Sequence, residues 1–269
     1  MSKQKPKRSL FDHFINIFCV LILLYFVVNE FSHLYRSLDT INVAPEKYER
    51  HYSLSSTFPF VGSYFLMKPK GYDPKYKYPL VVVLHGVSKH AYAAEALAQD
   101  KFRNIYPFFV MVPIAPKRAF WATPKDKAYQ MVRNIPYPDH MPQVIAGIND
   151  ISSKYKIDNS KVIIAGHSMG GSGVIGAMQR YPDIFKAGVS SSGSWSPNEI
   201  DNIKSPLFVF HGTKDRAVPV KHSVNLKKSA QAQRLPIKVT LLKGKGHGIG
   251  GLVYRNSEVW NKIISSIER

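Results

Sequence analysis

The sequence predicts an α/β protein with three layers, a mostly parallel sheet lying between helices. Two observations lead there. First, apolar runs of strand length (Pro79 to Leu84, Phe108 to Val112, Val162 to Ala165, Leu207 to Phe210, Ile237 to Leu242) alternate with helical stretches. Runs this continuous suit strands buried on both faces, the condition of a parallel sheet. Second, one of these runs leads straight into Gly166-His167-Ser168-Met169-Gly170 and a small-residue helix. That is a tight strand-to-helix turn with a serine at its apex.

The elements follow in order. Residues 1–10 are basic, and Ile17 to Val28 is unbroken apolar sequence. The run falls between a signal-peptide core and a full span of about 20 residues. No small-x-small cleavage site follows it, so the expected reading is an uncleaved anchor over residues 11–31; a cleaved signal is the alternative. The lysines before the run place the N-terminus in the cytoplasm and the remainder outside it. Residues 32–58 read as a stalk, and residues 59–269 as one catalytic domain, which this length can supply with a full core.

Within the domain, Val61 to Lys68 is the first expected strand, and Gly71-Tyr72-Asp73-Pro74 is a turn. Ala91 to Asn104 is rich in alanine, without Pro or Gly, and reads as a helix. Pro113 to Pro142 is irregular and carries many prolines and aromatics, the mark of a functional loop that could wall the site. Gln143 to Lys156 is helical, with Val144, Ile145, Ile148 and Ile151 on one face. Ala187 to Ser191 is a further strand, and Val220 to Gln233 and Ser257 to Ile267 are further helices.

The formal charge is +19. A solvated basic surface is the ordinary reading; attraction to anionic membranes or acidic polymers is the sharper one. No nucleic-acid motif and no basic stripe with interleaved aromatics is present, so no nucleic-acid partner is expected. No Cys/His cluster has zinc spacing, and the single Cys19 allows no internal disulfide.

Ser168 is the candidate nucleophile. A serine on such an elbow is strained, so the positions two residues to either side must be small, as Gly166 and Gly170 are. A serine hydroxyl needs a base, and the base needs a carboxylate to hold its tautomer. Working residues in parallel sheets sit at the carboxyl ends of strands. Asp215 follows the Leu207 strand, and His247 follows the last strand in a glycine-rich loop. Asp183 and Asp201 are weaker acids by this rule. His211 and His85 end strands too, but read as residues tying loops together; His167 reads as packing beneath the elbow. The oxyanion donors are expected to be the backbone N–H groups of Met169 and of Val87, after His85-Gly86.

Taken together, Tyr78-Pro79-Leu80, Leu84-His85-Gly86, Gly166-His167-Ser168-Met169-Gly170-Gly171, Tyr181-Pro182-Asp183, Ser192-Gly193 and His211-Gly212 with Asp215 and Val218-Pro219 resemble the esterase and predicted-peptidase branch of the α/β-hydrolases. The resemblance covers about residues 59–250. It implies an α/β-hydrolase fold, a Ser168–Asp215–His247 triad, and no cofactor. The expected activity is hydrolysis of a carboxylic ester on a small molecule, lipid or polymer. A peptidase, a thioesterase, or a catalytically silent binding protein of the same fold is the alternative. Trp121 and Trp195 are candidates for lining the substrate pocket.

Overall fold

The computed structural model describes residues 17–26, 45–54, 61–116, 119–130 and 139–268. Its centre is an eight-stranded sheet in the order β1-β2-β4-β3-β5-β6-β7-β8. The strands are β1 (Glu49–Leu54), β2 (Val61–Met67), β3 (Tyr78–Leu84), β4 (Phe109–Pro113), β5 (Ile157–His167), β6 (Ala187–Ser191), β7 (Leu207–Gly212) and β8 (Ile237–Leu242). From β4 to β8 every neighbouring pair is parallel, whereas β1, β2 and β4 meet antiparallel.

Alternation along the central strands divides the core into two layers. Leu80, Val82 and Leu84 of β3 and Ile164 of β5 face α4 (Met141–Lys154) and α5 (Met169–Arg180), meeting Val144, Ile148, Val174 and Met178. Val81, Val83, Ile163 and Ala165 face the other way, toward α2 (Tyr92–Leu97), α3 (Asp100–Arg103), α7 (Gly250–Tyr254) and α8 (Ser257–Ile267). The remaining helix, α6 (Lys221–Ala232), adds Leu226 and Ala230 to the first layer.

Several boundaries differ from the sequence reading: β5 starts at Ile157, ahead of the expected Val162, and α4 runs from Met141 to Lys154. The stretch read as stalk contains β1, which pairs with β2 in register from Glu49↔Leu66 to Leu54↔Val61, so the sheet begins before residue 59. The single helix expected over residues 91–104 is two, broken where Gln99 turns extended at φ −70°, ψ 139°. A short helix, α7, follows the glycine-rich loop of His247, in a stretch to which the sequence reading assigns no element.

At the N-terminus, residues 17–26 form a helix, α1, with exposed Phe18, Leu21 and Phe26. Ten residues span about 15 Å at 1.5 Å each, against a hydrocarbon core of about 30 Å. No helix among the described residues is long and apolar enough to cross a membrane. The rest of the expected anchor, residues 11–16 and 27–31, lies outside the described residues, as does Tyr137 of the aromatic loop.

Candidate active site

The site is built where β5 turns into α5. Ser168 caps the helix at φ 58°, ψ −118°, a conformation costly for a side-chain-bearing residue. Gly166 and Gly170 make the turn possible. A Cβ on Gly166 would lie 2.5 Å from the carbonyl carbon and oxygen of Gly170, and one on Gly170 would strike the backbone carbonyl of Leu84. The strained serine is locked from below by Tyr254 of α7. Its buried hydroxyl lies 2.6 Å from the Gly166 carbonyl oxygen and accepts from the Gly166 N–H at 3.1 Å. It also reaches the Val189 carbonyl of β6 at 3.0 Å. Tyr254→Phe strands these groups without a hydroxyl, and should lower stability by roughly 1–3 kcal/mol, read as a fall in thermal midpoint.

Ser168, His247 and Asp215 stand in one hydrogen-bonded row. His247 Nε2 lies 2.9 Å from Ser168 Oγ, and His247 Nδ1 lies 2.8 Å from Asp215 Oδ2. Both loops arise from parallel neighbours, β7 and β8, whose carboxyl ends meet: the N–H of Lys214 donates to the Lys245 carbonyl at 2.8 Å. Ser192, itself at φ 50°, donates to the His247 carbonyl at 3.0 Å and fixes that loop from the β6 side.

Asp215 is held on both oxygens. Oδ1 accepts from the N–H groups of Ala217 and Val218, each at 2.9 Å. Oδ2 faces two imidazoles, His247 at 2.8 Å and His211 at 3.2 Å. Burial pushes the Asp215 pKa up, but the hydrogen bonds from Val218 and His247 outweigh it and hold the carboxyl below its ordinary value. His211 Nε2 also lies 3.0 Å from the Val218 carbonyl oxygen, an acceptor, so that nitrogen carries the proton and Nδ1 accepts from Ser223. Burial lowers the His211 pKa and favours this neutral form. The sequence reads His211 as a residue tying loops together; here it contacts Ser223 of α6 and the Val218 carbonyl, and it also lies against Asp215. Only its position two strands from the elbow, four residues before Asp215, hinted at this.

The loop after β3 lies against the elbow. A Cβ on Gly86 would be 3.4 Å from the His167 carbonyl oxygen and 3.8 Å from Ser168 Cβ. The loop is a tight turn, with the Lys89 N–H bonded to the Gly86 carbonyl at 3.0 Å and Lys89 at φ 63°. Val87 is second in that turn, so its N–H takes no part in the closing bond. Met169 opens α5, where first-turn N–H groups lack intrahelical acceptors. His85 fastens the loop: Nδ1 bonds the Gly86 carbonyl at 2.8 Å, and Nε2 accepts from the Ala115 N–H at 3.1 Å.

Trp121 and Trp195 are both fully buried. Trp121 Nε1 donates to the His85 carbonyl and Trp195 Nε1 to the Glu199 carbonyl, each at 2.8 Å. They support the loops from within, and Trp195 also borders a surface pocket together with Gln179, Arg180 and Glu199. His167 lies beside His247, ring centroids 5.0 Å apart, and bonds Ser191 Oγ at 3.0 Å.

Burial takes the pKa of His167 from 6.5 to about 4, of His140 to about 4 and of His85 to about 3. The unfolded chain, titrating near 6.5, therefore binds more protons than the folded one between about pH 4 and 6.5. Stability should fall as pH drops through that window, by on the order of several kcal/mol in all. Asp215 adds in the same direction below its ordinary 3.8, since its lowered pKa supplies stability that is lost on protonation. Thermal melting followed from pH 6.5 down to 4 measures this; a flat midpoint would mean these histidines take up protons in the fold.

Comparison with known proteins bears on the whole arrangement. Residues 63–248 match the profile of the Esterase family. The chain belongs to that family. Among curated proteins none matches the sequence. Among solved structures, this esterase-family chain is similar to a thermostable esterase, at 26% identity and a TM-score of 0.70, over 82% of this chain and 63% of that one. It therefore spans just under two thirds of that enzyme's length. A ferulic acid esterase shares the fold at 18% identity and TM-score 0.60, over 82% of this chain and 98% of its own. So does an acylaminoacyl peptidase of Pyrococcus horikoshii, at 17% identity and TM-score 0.60, over 86% of this chain and 42% of that one.

Proposed function

We propose that the protein is a serine hydrolase of carboxylic esters that works through an acyl-enzyme. The observation that carries this is the unbroken row from Ser168 Oγ through His247 to Asp215. Ser168 Oγ attacks the ester carbonyl as its proton passes to His247 Nε2. The N–H groups of Met169 and Val87 receive the oxyanion, each worth about 3 kcal/mol. Collapse expels the alcohol, which takes the proton from His247. Water then gives its proton to His247 and attacks the acyl carbon; Ser168 regains a proton as the acid leaves. Asp215 keeps the His247 proton on Nδ1 and offsets the charge on the imidazolium.

Likeness to an acylaminoacyl peptidase supports amide cleavage as a second reading. An ester and an amide of the same acyl group separate the two. One portion of the full chain is tested for covalent labelling by a fluorophosphonate probe, and a separate, untreated portion is assayed on the pair. Labelling with turnover of the ester alone is the expected result. Comparable turnover of the amide would transfer the assignment to a peptidase, and a folded protein that refuses the probe would move it to a silent binding protein. From the basic residues 1–10 and the apolar run beginning at Ile17, we further propose that the N-terminus anchors the domain on the extracytoplasmic face of a membrane.

A further inference from the structure

Much of the chain's charge falls in one stretch of its sequence. Residues 202–257 contain eleven Lys or Arg and one acidic residue, a net +10 of the chain's +19. That one acid is Asp215, whose side chain is fully buried under His247 and cannot offset charge at the surface. Lys204 and Arg255 pair with Asp183 and Glu95. Lys214, Arg216, Lys221, Lys243 and Lys245 are exposed and make no ion pair among the described residues.

Topology gathers these five at the catalytic edge. Lys214 and Arg216 flank Asp215; Lys243 and Lys245 precede His247. The two loops touch through the Lys214–Lys245 backbone bond and through the Gly244 N–H, which donates to Thr213 Oγ1 at 2.9 Å. Lys221 opens α6 from the same end of β7, in a first turn without any acidic residue. A cation there opposes the helix dipole, and five like charges on adjoining loops repel one another. Local stability does not account for such an arrangement, whereas an anion laid across it would.

We infer that these five residues form a cationic rim that binds a soluble polyanionic chain and brings ester groups on that chain to Ser168. The inference rests on the ester-hydrolase reading and names its substrate class. A hydrated polymer fits better than a bilayer face: the two rim loops, residues 213–216 and 243–246, carry no large apolar side chain, the exposed ones on neighbouring segments being Val87, Leu241 and Leu252. Surfaces that sit in lipid add apolar wedges to their lysines.

The test uses the full-length protein with all five rim cations changed to Gln, and a second variant with Lys214, Lys221, Lys243 and Lys245 changed to Arg. A charge-matched control changes Lys68, Lys70, Lys75, Lys77 and Lys101. Binding to labelled poly-glutamate and to polyphosphate is measured against salt; the two separate carboxylate from phosphate as the favoured anion. The Gln variant should bind either polymer about tenfold more weakly, with a shallower salt dependence, while the Arg variant and the control bind as the parent does. Its kcat/KM for a carboxylate-bearing aryl ester, relative to the uncharged ester, should fall by about the same factor. Equal loss in the control, unchanged binding in the Gln variant, or binding to phosphatidylglycerol vesicles in place of the polymers overturns the rim. Ser168→Ala should keep polymer binding. Intact polymer binding in a parent that hydrolyses no ester would leave the rim as an anion site and count against the hydrolase reading alone.

Discussion

Ser168→Ala should lower kcat/KM for an activated ester by about 10^4- to 10^6-fold and abolish covalent labelling by a fluorophosphonate. His247→Ala should cost about the same, and the double variant no more than either. The reason lies in the row of contacts. His247 Nε2 reaches Ser168 Oγ at 2.9 Å and has no other acid to serve at that nitrogen. Without the base, the hydroxyl is too weak an acid to ionise; without the hydroxyl, the base has nothing to deprotonate. On the proposed mechanism the oxyanion donors, Met169 and Val87, would remain in each variant and still give some rate above water. Losses that multiplied in the double variant would mean that serine and histidine act on separate steps, and the row would lose its meaning as a unit.

The parts of this site that could be read in the sequence are those that local chemistry dictates. An elbow serine must have small neighbours, and Gly166 and Gly170 announce it. A base and an acid in a parallel sheet must follow strands, which singled out Asp215 and His247. Their contact was legible because buried strands are long apolar runs. The parts that could not be read depend on contacts distant in sequence. β1 reads Glu-Arg-His-Tyr-Ser-Leu, polar at most positions, since it is an edge strand whose pairing with β2 makes it a strand. α7 begins Gly-Gly, the weakest of helix starts, and is set by packing: a Cβ on Gly250 would strike the Tyr92 ring. The role of Tyr254 is invisible for the same reason, because its partners on Gly166 and Val189 lie 88 and 65 residues away. The depth at which the indoles of Trp121 and Trp195 are buried could not be read either. Aromatic residues near a catalytic loop suggest a pocket wall, yet burying them yields more free energy than exposing them to solvent between substrates.

Asp215→Asn should cost about 10^4-fold in kcat, with little change in KM. The surroundings force the outcome. The N–H groups of Ala217 and Val218 claim one oxygen of the carboxylate, so an asparagine must turn its carbonyl to them and its NH2 toward His247. An NH2 facing Nδ1 drives the His247 proton onto Nε2, where it blocks acceptance of the Ser168 proton. The same NH2 confronts the Nε2–H of His211, donor against donor, so this variant should also melt lower than Ser168→Ala. His211→Leu separates the two effects. It leaves the carboxylate but removes one of the groups that hold Oδ2 in place, so kcat should fall roughly tenfold through poorer orientation of His247. With fewer donors the carboxylate attracts the imidazolium more strongly, and the acid limb of the kcat/KM profile should move to higher pH. His211→Gln, which can restore an N–H, should bring that limb back toward the parent. A residue that merely filled space beneath the loop would shift the melting temperature and leave the profile where it was, so the direction of the acid limb decides whether His211 works through Asp215.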